Sequence, residues 1–213
     1  MQHQHANSIA NDLMLQLSSA CVRLEIAGSL RRGKADVGDI ELVAVPNLGT
    51  FEVRDMFEQV VERHHVNHLE EAVNTLLAGG AWEWDTEVKR AGPKYKRLRH
   101  VTSGLCCDLF ITDPRRWGYT FTIRTGPGEF SKALVSRALI RKAFFKGGLL
   151  HNHPPVYVER NGAREVQPCP AGDGCVRIIP TLEEADVFAA LGLAFIEPQD
   201  RTLSAIMRPV LIR

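Results

Sequence analysis

The chain has 213 residues, of which 45% are hydrophobic and 24% charged, and its formal net charge is +1. These are the proportions of an ordinary soluble globular protein, long enough for one domain or two small ones with a real core. No apolar run approaches the length of a membrane span, the N-terminus MQHQHANSIA lacks the basic start and apolar centre of a signal peptide, and five cysteines, two of them adjacent, do not suggest a disulfide framework. A reducing, cytoplasmic or otherwise intracellular setting is therefore expected.

The near-neutral total hides an asymmetry. From Phe51 to Asp85 the charges are acidic apart from Arg54 and Arg63, whereas from Glu87 to Lys146 they are basic apart from Glu87, Asp108, Asp113 and Glu129. A basic half of this kind is the footprint expected of a polyanion track.

In chain order, Ile9, Leu13, Leu17 and Ala20 recur at helical spacing and predict a helix over 8–20, capped by Asn7 or Ser8. His3 and His5 are expected in a mobile polar terminus rather than as a metal pair. The alternation Val22-Arg23-Leu24-Glu25-Ile26 predicts a strand. Gly28 and Ser29 follow it directly; glycine there lets backbone N–H groups approach an anion, and the Ser29 hydroxyl adds a donor. Arg31 and Arg32 follow, one or both within reach of a polyphosphate. Gly38 then turns the chain into a strand over 39–43, where alternation puts Asp39 and Glu41 on one face and sends Ile40 and Leu42 to the core. Two carboxylates beside a phosphate grip are what two divalent cations need for nucleotidyl transfer.

The run from Gly28 to Glu41, GSLRRGKADVGDIE, resembles the motif of the nucleotidyltransferase superfamily. More narrowly it resembles that of the X family of DNA polymerases, G-S-x-R-R-G followed by four variable residues and G-D-x-D, with Glu41 in place of the last Asp. The resemblance implies an α+β fold. A nucleotidyltransferase palm, a mixed sheet with flanking helices, would span residues 1–125, and a small C-terminal α/β thumb, or nucleotide-selecting subdomain, residues 126–213. The upstream domains of larger family members have no counterpart here, so a minimal form is expected. It implies DNA-directed addition of nucleoside monophosphates from (d)NTPs to a 3′-end with release of pyrophosphate, in gap-filling repair for instance. Asp39 and Glu41 would hold two Mg²⁺ ions, with Mn²⁺ as a substitute, and Ser29, Arg32 and Gly38 would bind the triphosphate.

Further along, Val53, Met56, Phe57, Val60 and Val61 predict one helical face, and Leu69, Val73, Leu76 and Leu77 a second. Trp82 and Trp84 predict a strand, and Lys94-Tyr95-Lys96-Arg97-Leu98-Arg99 an exposed basic strand in which Tyr95 packs on the sheet. In 105–111 Asp108 is the lone acid of an apolar strand, a costly placement unless it is paired or binds metal. The resemblance makes it the third catalytic carboxylate, a metal ligand that accepts the proton of the primer 3′-hydroxyl. Cys106 and Cys107 are read as packing residues.

A helix is predicted over 114–124. Then Thr125, Gly126 and Phe130 match the family's Thr-Gly-x-x-x-Phe frame, with Ile123 and Arg124 replacing its aromatic pair and Ser131 its Asn. The resemblance gives Arg124, Thr125, Gly126 and Ser131 to the nucleotide pocket. A helix over 129–145 carries Arg137 and Arg141, which with Lys94, Lys96 and Arg97 are the expected nucleic-acid contacts. Asn161-Gly162 predicts a hairpin turn. His151, His153, Cys169 and Cys175 bracket that hairpin, but H-x-H with C-x₅-C is not a common structural-zinc spacing, so incidental loop residues are expected rather than a zinc site. Thr181 is the expected cap, with Glu184 three residues on, of a further helix. The ending Phe195-x-x-Pro198-x-x-Arg201 resembles that of the X family.

The expected partners are primer-template or gapped DNA, or RNA, together with a (d)NTP. A membrane is not among them, and the expected state is a monomer. Three rivals stay open: a template-independent terminal transferase, a transferase acting on a small molecule or protein, and an inactive nucleic-acid-binding module.

Overall fold

The structure, a computed structural model, describes residues 1–86, 91–167 and 169–207. It is a mixed α+β protein that divides into two compact units, Met1–Asp113 and Pro114–Arg213.

The first unit is built on α1 (His3–Leu17), β1 (Cys21–Ile26), the single turn α2 (Gly28–Arg31), β2 (Ile40–Pro46), β3 (Leu48–Arg54), β4 (Val60–Asn67), α3 (His68–Ala78), β5 (Trp82–Trp84), β6 (Ala91–Gly92), β7 (Tyr95–His100) and β8 (Cys106–Ile111). Its main sheet has the order β1-β2-β8-β7-β5, with β6 on β7. Only β2 and β8 run parallel; the other pairs are antiparallel. Alternation then separates two faces. Ile40, Leu42, Ala44, Leu98, Cys107 and Leu109 point into a core shared with Leu13 and Leu17 of α1 and Leu69 and Val73 of α3. Asn67 caps α3 by accepting from Glu70 N–H, and Glu70 and Glu71 sit in its first turn, where the helix dipole favours acids.

Two expectations change here. The apolar set from Val53 to Val61 belongs to the β3–β4 hairpin, where Met56, Phe57 and Val61 are exposed. β-branched and aromatic residues favour a strand, and Asp55 closes the turn by accepting from Phe57 and Gln59 N–H. The N-terminus is anchored rather than loose. Met1 N donates to Val37 O and His3 N–H to Ala35 O, so α1 begins at His3 with no side-chain cap.

The second unit holds α4 (Trp117–Thr125), α5 (Gly128–Ile140), β9 (Phe144–Lys146), β10 (Leu149–His151), β11 (Tyr157–Arg160), β12 (Ala163–Val166), β13 (Ile178–Ile179), α6 (Glu184–Ala190) and α7 (Leu203–Met207). Thus α4, which the sequence places in the palm, lies in this unit. Strands β13-β10-β9 form a small sheet, and β11-β12 a hairpin closed at Asn161 and Gly162, both at positive φ. Helix α5 stops at Ile140, earlier than the spacing predicts. Lys142 at φ 56° reverses the chain, and Phe144 and Phe145 enter a strand. The α6 cap is Glu183 with Asp186 in a capping box, not Thr181, which is buried.

Arg201 explains the C-terminal motif. It is 2% exposed, donates to Glu184 Oε1 at 2.7 Å and to Ile196 O at 3.1 Å, and lies over the rings of Phe188 and Phe195. Arg201→Met takes the guanidinium away from the buried Glu184 carboxylate. It is expected to cost about 3–5 kcal/mol in denaturant unfolding, and the double variant Arg201→Met/Glu184→Leu should recover much of that. An unchanged midpoint in the single variant would refute the clamp.

Among the described residues, no helix is long and apolar enough to cross a membrane.

Candidate active site

The sheet face opposite the core gathers the ionisable residues. Parallel pairing sets Glu41 of β2 directly beside Asp108 of β8, and antiparallel pairing sets Arg97 of β7 beside Asp108 on the other side. Asp85, just beyond β5, completes the row through its N–H to Arg97 O. Residues in register share a face, so one row across the sheet reads Glu41, Asp108, Arg97, Asp85. Asp39, two residues before Glu41, lies on this side, its Oδ2 3.9 Å from Arg97 Nη1.

The acids are organised by one guanidinium. Arg97 Nη1 donates to Asp108 Oδ1 at 2.5 Å and Arg97 Nε to Asp85 Oδ2 at 2.7 Å; Arg99 Nη2 donates to Asp85 Oδ1 at 2.7 Å. Tyr95 stacks on Phe110 and its hydroxyl donates to Asp108 Oδ1 at 2.7 Å. Burial works against the Arg97 charge, but the hydrogen bonds that Arg97 donates to Asp85 and Asp108, with the negative charge of Asp108, outweigh it and hold the guanidinium protonated more firmly than usual. Burial raises the Tyr95 hydroxyl above its ordinary value, and Asp108 raises it further. The Asp39 carboxyl is also raised, first by burial and next by the negative charge of Asp108, while Arg97 pulls it back.

Gly28 lies under Glu41. A Cβ there would stand 1.9 Å from Glu41 Oε2, and the residue sits at φ +62°, so both space and backbone require glycine. Close by in sequence, Ser29 Oγ is buried without a hydrogen-bond partner, an unsatisfied hydroxyl in the turn read as a phosphate grip. Arg31 and Arg32 are half-buried after this turn, and Gly38 is exposed before β2. The donor set suits a hard divalent cation: carboxylates share a face, and part of the raised proton affinity of Asp39 is repulsion by Asp108 that a cation relieves.

Several expected contacts serve other ends. Lys96 is 1% exposed and its ammonium donates to Glu70 at 2.9 and 2.7 Å, because alternation turns it toward the core side of β7. The strand is therefore not an exposed basic track: Lys96 and Arg97 hold protein carboxylates, and Lys94 remains exposed. The residues from Glu87 to Arg90 lie outside the described set. Burial pushes the Cys107 thiol well above its ordinary value, in keeping with a packing role, and Cys106 is raised by the same cause.

In the second unit, Thr125 and Gly126 are buried, and Ser131 donates to Ile123 O at 2.9 Å and lies 3.4 Å from Gly126 O. The Ser131 hydroxyl thus fastens the α4–α5 turn. Phe130 is core, and Arg124 is exposed. A groove of about 490 Å³ is lined by Ile123, Ser131, Lys132, Val135 and Ser136. On α5 Arg137 is half-buried; Arg141, just past the helix, is exposed with its guanidinium close over Gly192.

Sequence reasoning missed Tyr95, Arg97 and Asp85 as parts of this site. The signal was the alternation Tyr95-x-Arg97-x-Arg99, which assigns those three to one face once β7 is paired with β8.

The raised Asp39 pKa has a stability consequence. Its ionisation is resisted in the folded state, so stability present at low pH is lost as pH rises through the folded value. In metal-free buffer, Asp39→Asn should therefore raise the melting temperature at neutral pH. The difference should shrink as pH falls toward the ordinary carboxylate value of 3.8. A lower melting temperature for the variant at neutral pH would contradict this.

No protein-family model matches the chain.

Proposed function

We propose that the first unit is a nucleotidyltransferase palm, and that the chain is a minimal X-family-like DNA polymerase. It would add nucleoside monophosphates from (d)NTPs to a DNA 3′-end, with RNA as a further substrate class. The observation that supports this best is the register that sets Glu41 beside Asp108, on the face of Asp39 and above Gly28.

Asp39 and Glu41 would hold two Mg²⁺ ions and Asp108 one of them, with Mn²⁺ as a substitute. Bound Mg²⁺ supplies charge neutralisation on the triphosphate and a lowered hydroxyl pKa. The chain's own residues position the reactants, which is most of what phosphoryl-type transfer asks of a protein. Asp108 accepts the 3′-hydroxyl proton. Arg97 and Tyr95 fix the Asp108 carboxylate in one orientation and temper the charge of the cluster. Ser29 offers its hydroxyl, and Arg31 and Arg32 their guanidinium groups, to the triphosphate.

A transferase acting on a small molecule or protein is the second reading. It is favoured by the engagement of Lys96 and Arg97 with protein carboxylates, which thins the basic track.

The test supplies the full chain with templated, gapped and single-stranded primers and both nucleotide sets, with Mg²⁺, Mn²⁺ or chelator. Metal-dependent extension is expected, with templated incorporation. Extension of single strands without template selection would make it a terminal transferase. Failure of every polynucleotide primer with both metals would overturn the polymerase and favour the second reading.

A further inference from the structure

The second unit holds a cluster that takes no part in the proposed chemistry. His151, His153, Cys169 and Cys175 each present one ligand atom, and all four atoms lie within 4.8 Å of one another. In sequence the two pairs bracket the β11–β12 hairpin with an H-x-H and a C-x₅-C spacing, and the fold brings them together. The fold does so in three steps. Strand β10 ends at His151, which pairs with Ile178 of β13. A tight turn closed by Gly172 N–H to Cys169 O places Cys169 near the return of the chain. A second turn, closed by Ile178 N–H to Cys175 O, leads from Cys175 back into β13.

We propose that these four side chains form a structural zinc site. Two thiolates and two neutral imidazoles balance the charge of Zn²⁺ and complete a Cys₂His₂ tetrahedron with no open position. On binding, each cysteine exchanges its S–H proton for a Zn–S bond, and two protons pass to solvent. The geometry is close to closure. Bond lengths of about 2.3 Å to sulfur and 2.0 Å to nitrogen give tetrahedral edges of about 3.3–3.8 Å, so ligand shifts of about 1 Å complete the site.

Independent observations point to a ligand. His151 is 2% exposed, and its Nδ1 is buried with no hydrogen-bond partner, a costly state for a ring nitrogen in a protein interior. His153 Nδ1 lies 3.1 Å from Pro154 O and can bond to that carbonyl only as a donor. That bond leaves the lone pair on Nε2, the arrangement in which backbone carbonyls orient metal-binding histidines. Phe144 stacks on His151 at 4.9 Å and meets His153 edge-on at 5.1 Å, giving the cluster a dry wall. The Cys169–Cys175 loop is also held from outside. Arg116 pairs with Asp173 and donates to Gly147 O at 2.7 Å, and Arg115 donates to Asp173 O at 3.1 Å. This brings both cysteines to a site of defined shape and not to a loose loop. The ion would staple β10 to the far end of the long excursion between β10 and β13.

The full chain, without an affinity tag and purified under reducing conditions, should carry one equivalent of zinc by elemental analysis. Co²⁺ exchange should give the intense visible bands of a tetrahedral thiolate site. Cys169→Ser and Cys175→Ser should each lose most of the metal and the cobalt bands, and His153→Ala should weaken retention, while Cys21→Ser and Cys106→Ser keep the full equivalent. A thiol-permeable zinc chelator should lower the melting temperature of the wild type but not of Cys169→Ser. The proposal is overturned if reduced wild type holds no zinc and takes up no cobalt. It is equally overturned if the Cys169→Ser/Cys175→Ser double variant keeps one equivalent, or if the two cysteines form a disulfide under conditions in which the other cysteines stay reduced.

Discussion

Asp108→Asn is expected to abolish measurable primer extension, a loss of at least about a thousandfold, or about 4 kcal/mol in the barrier. The substitution keeps side-chain volume and one carbonyl oxygen, so Tyr95 and Arg97 retain an acceptor at the position of Oδ1. What it removes is one negative charge and one proton acceptor, in the row where Glu41 and Asp108 stand side by side. Circular dichroism and the unfolding midpoint should stay close to wild type, which separates a chemical defect from a structural one. Single-turnover rates at saturating nucleotide and Mg²⁺ are the measurement. Wild-type rates in the variant would remove Asp108 from the mechanism, and with it the reading of this face as an active site.

Arg97→Ala should do the reverse and damage stability first. Arg97 bridges Asp108 and Asp85 and also faces Asp39, and its side chain is only 22% exposed. Removing it takes away the one guanidinium shared by Asp108 and Asp85, leaving Tyr95 to donate to Asp108 and Arg99 and Cys106 among the donors to Asp85. Loss of one partner from a largely buried ionic network costs about 3 kcal/mol. The unfolding midpoint in metal-free buffer is therefore expected to fall well below wild type, and Arg97→Lys should not restore it, because a compact ammonium lacks the planar fork that reaches Asp85 from Nε and Asp108 from Nη1. Added Mg²⁺ should narrow the gap if the acids bind it. An unchanged midpoint for Arg97→Ala would show that the guanidinium is not organising the cluster.

Motif and periodicity made much of the first unit legible. The β1 strand, the Gly28–Ser29 turn, the core-facing Ile40 and Leu42 and the strand around Asp108 all follow from local pattern: alternating or apolar runs for the strands and a small-residue pair for the turn. The failures have physical causes. Val53 to Val61 carries apolar residues at helical intervals that never meet a core, so their spacing recorded no buried face. The end of α5 was hidden because Arg141 and Lys142 favour a helix as well as any residue, and the reversal at Lys142 has no glycine to announce it. The roles of Arg97, Tyr95 and Asp85 depend on which strands are neighbours, and that pairing joins distant segments. The proximity of His151, His153, Cys169 and Cys175 is set by β10, β13 and two tight turns, and counting along the chain does not give it.

The parallel pairing of β2 with β8 also bears on synthesis. A chain emerging from the ribosome presents Ile40 to Val45 long before Cys106 to Ile111, and until the later strand arrives β2 is the outer edge of whatever sheet has formed. That edge is an uninterrupted run of buried residue types apart from Glu41, with open N–H and C=O groups, the sort of strand that recruits other chains. Glu41 is the one charge on that run, and it interrupts the strand during the interval before Asp108 arrives to share its face. The acid proposed to hold metal in the finished protein is thus also a charge of the kind that limits edge-to-edge pairing of apolar strands.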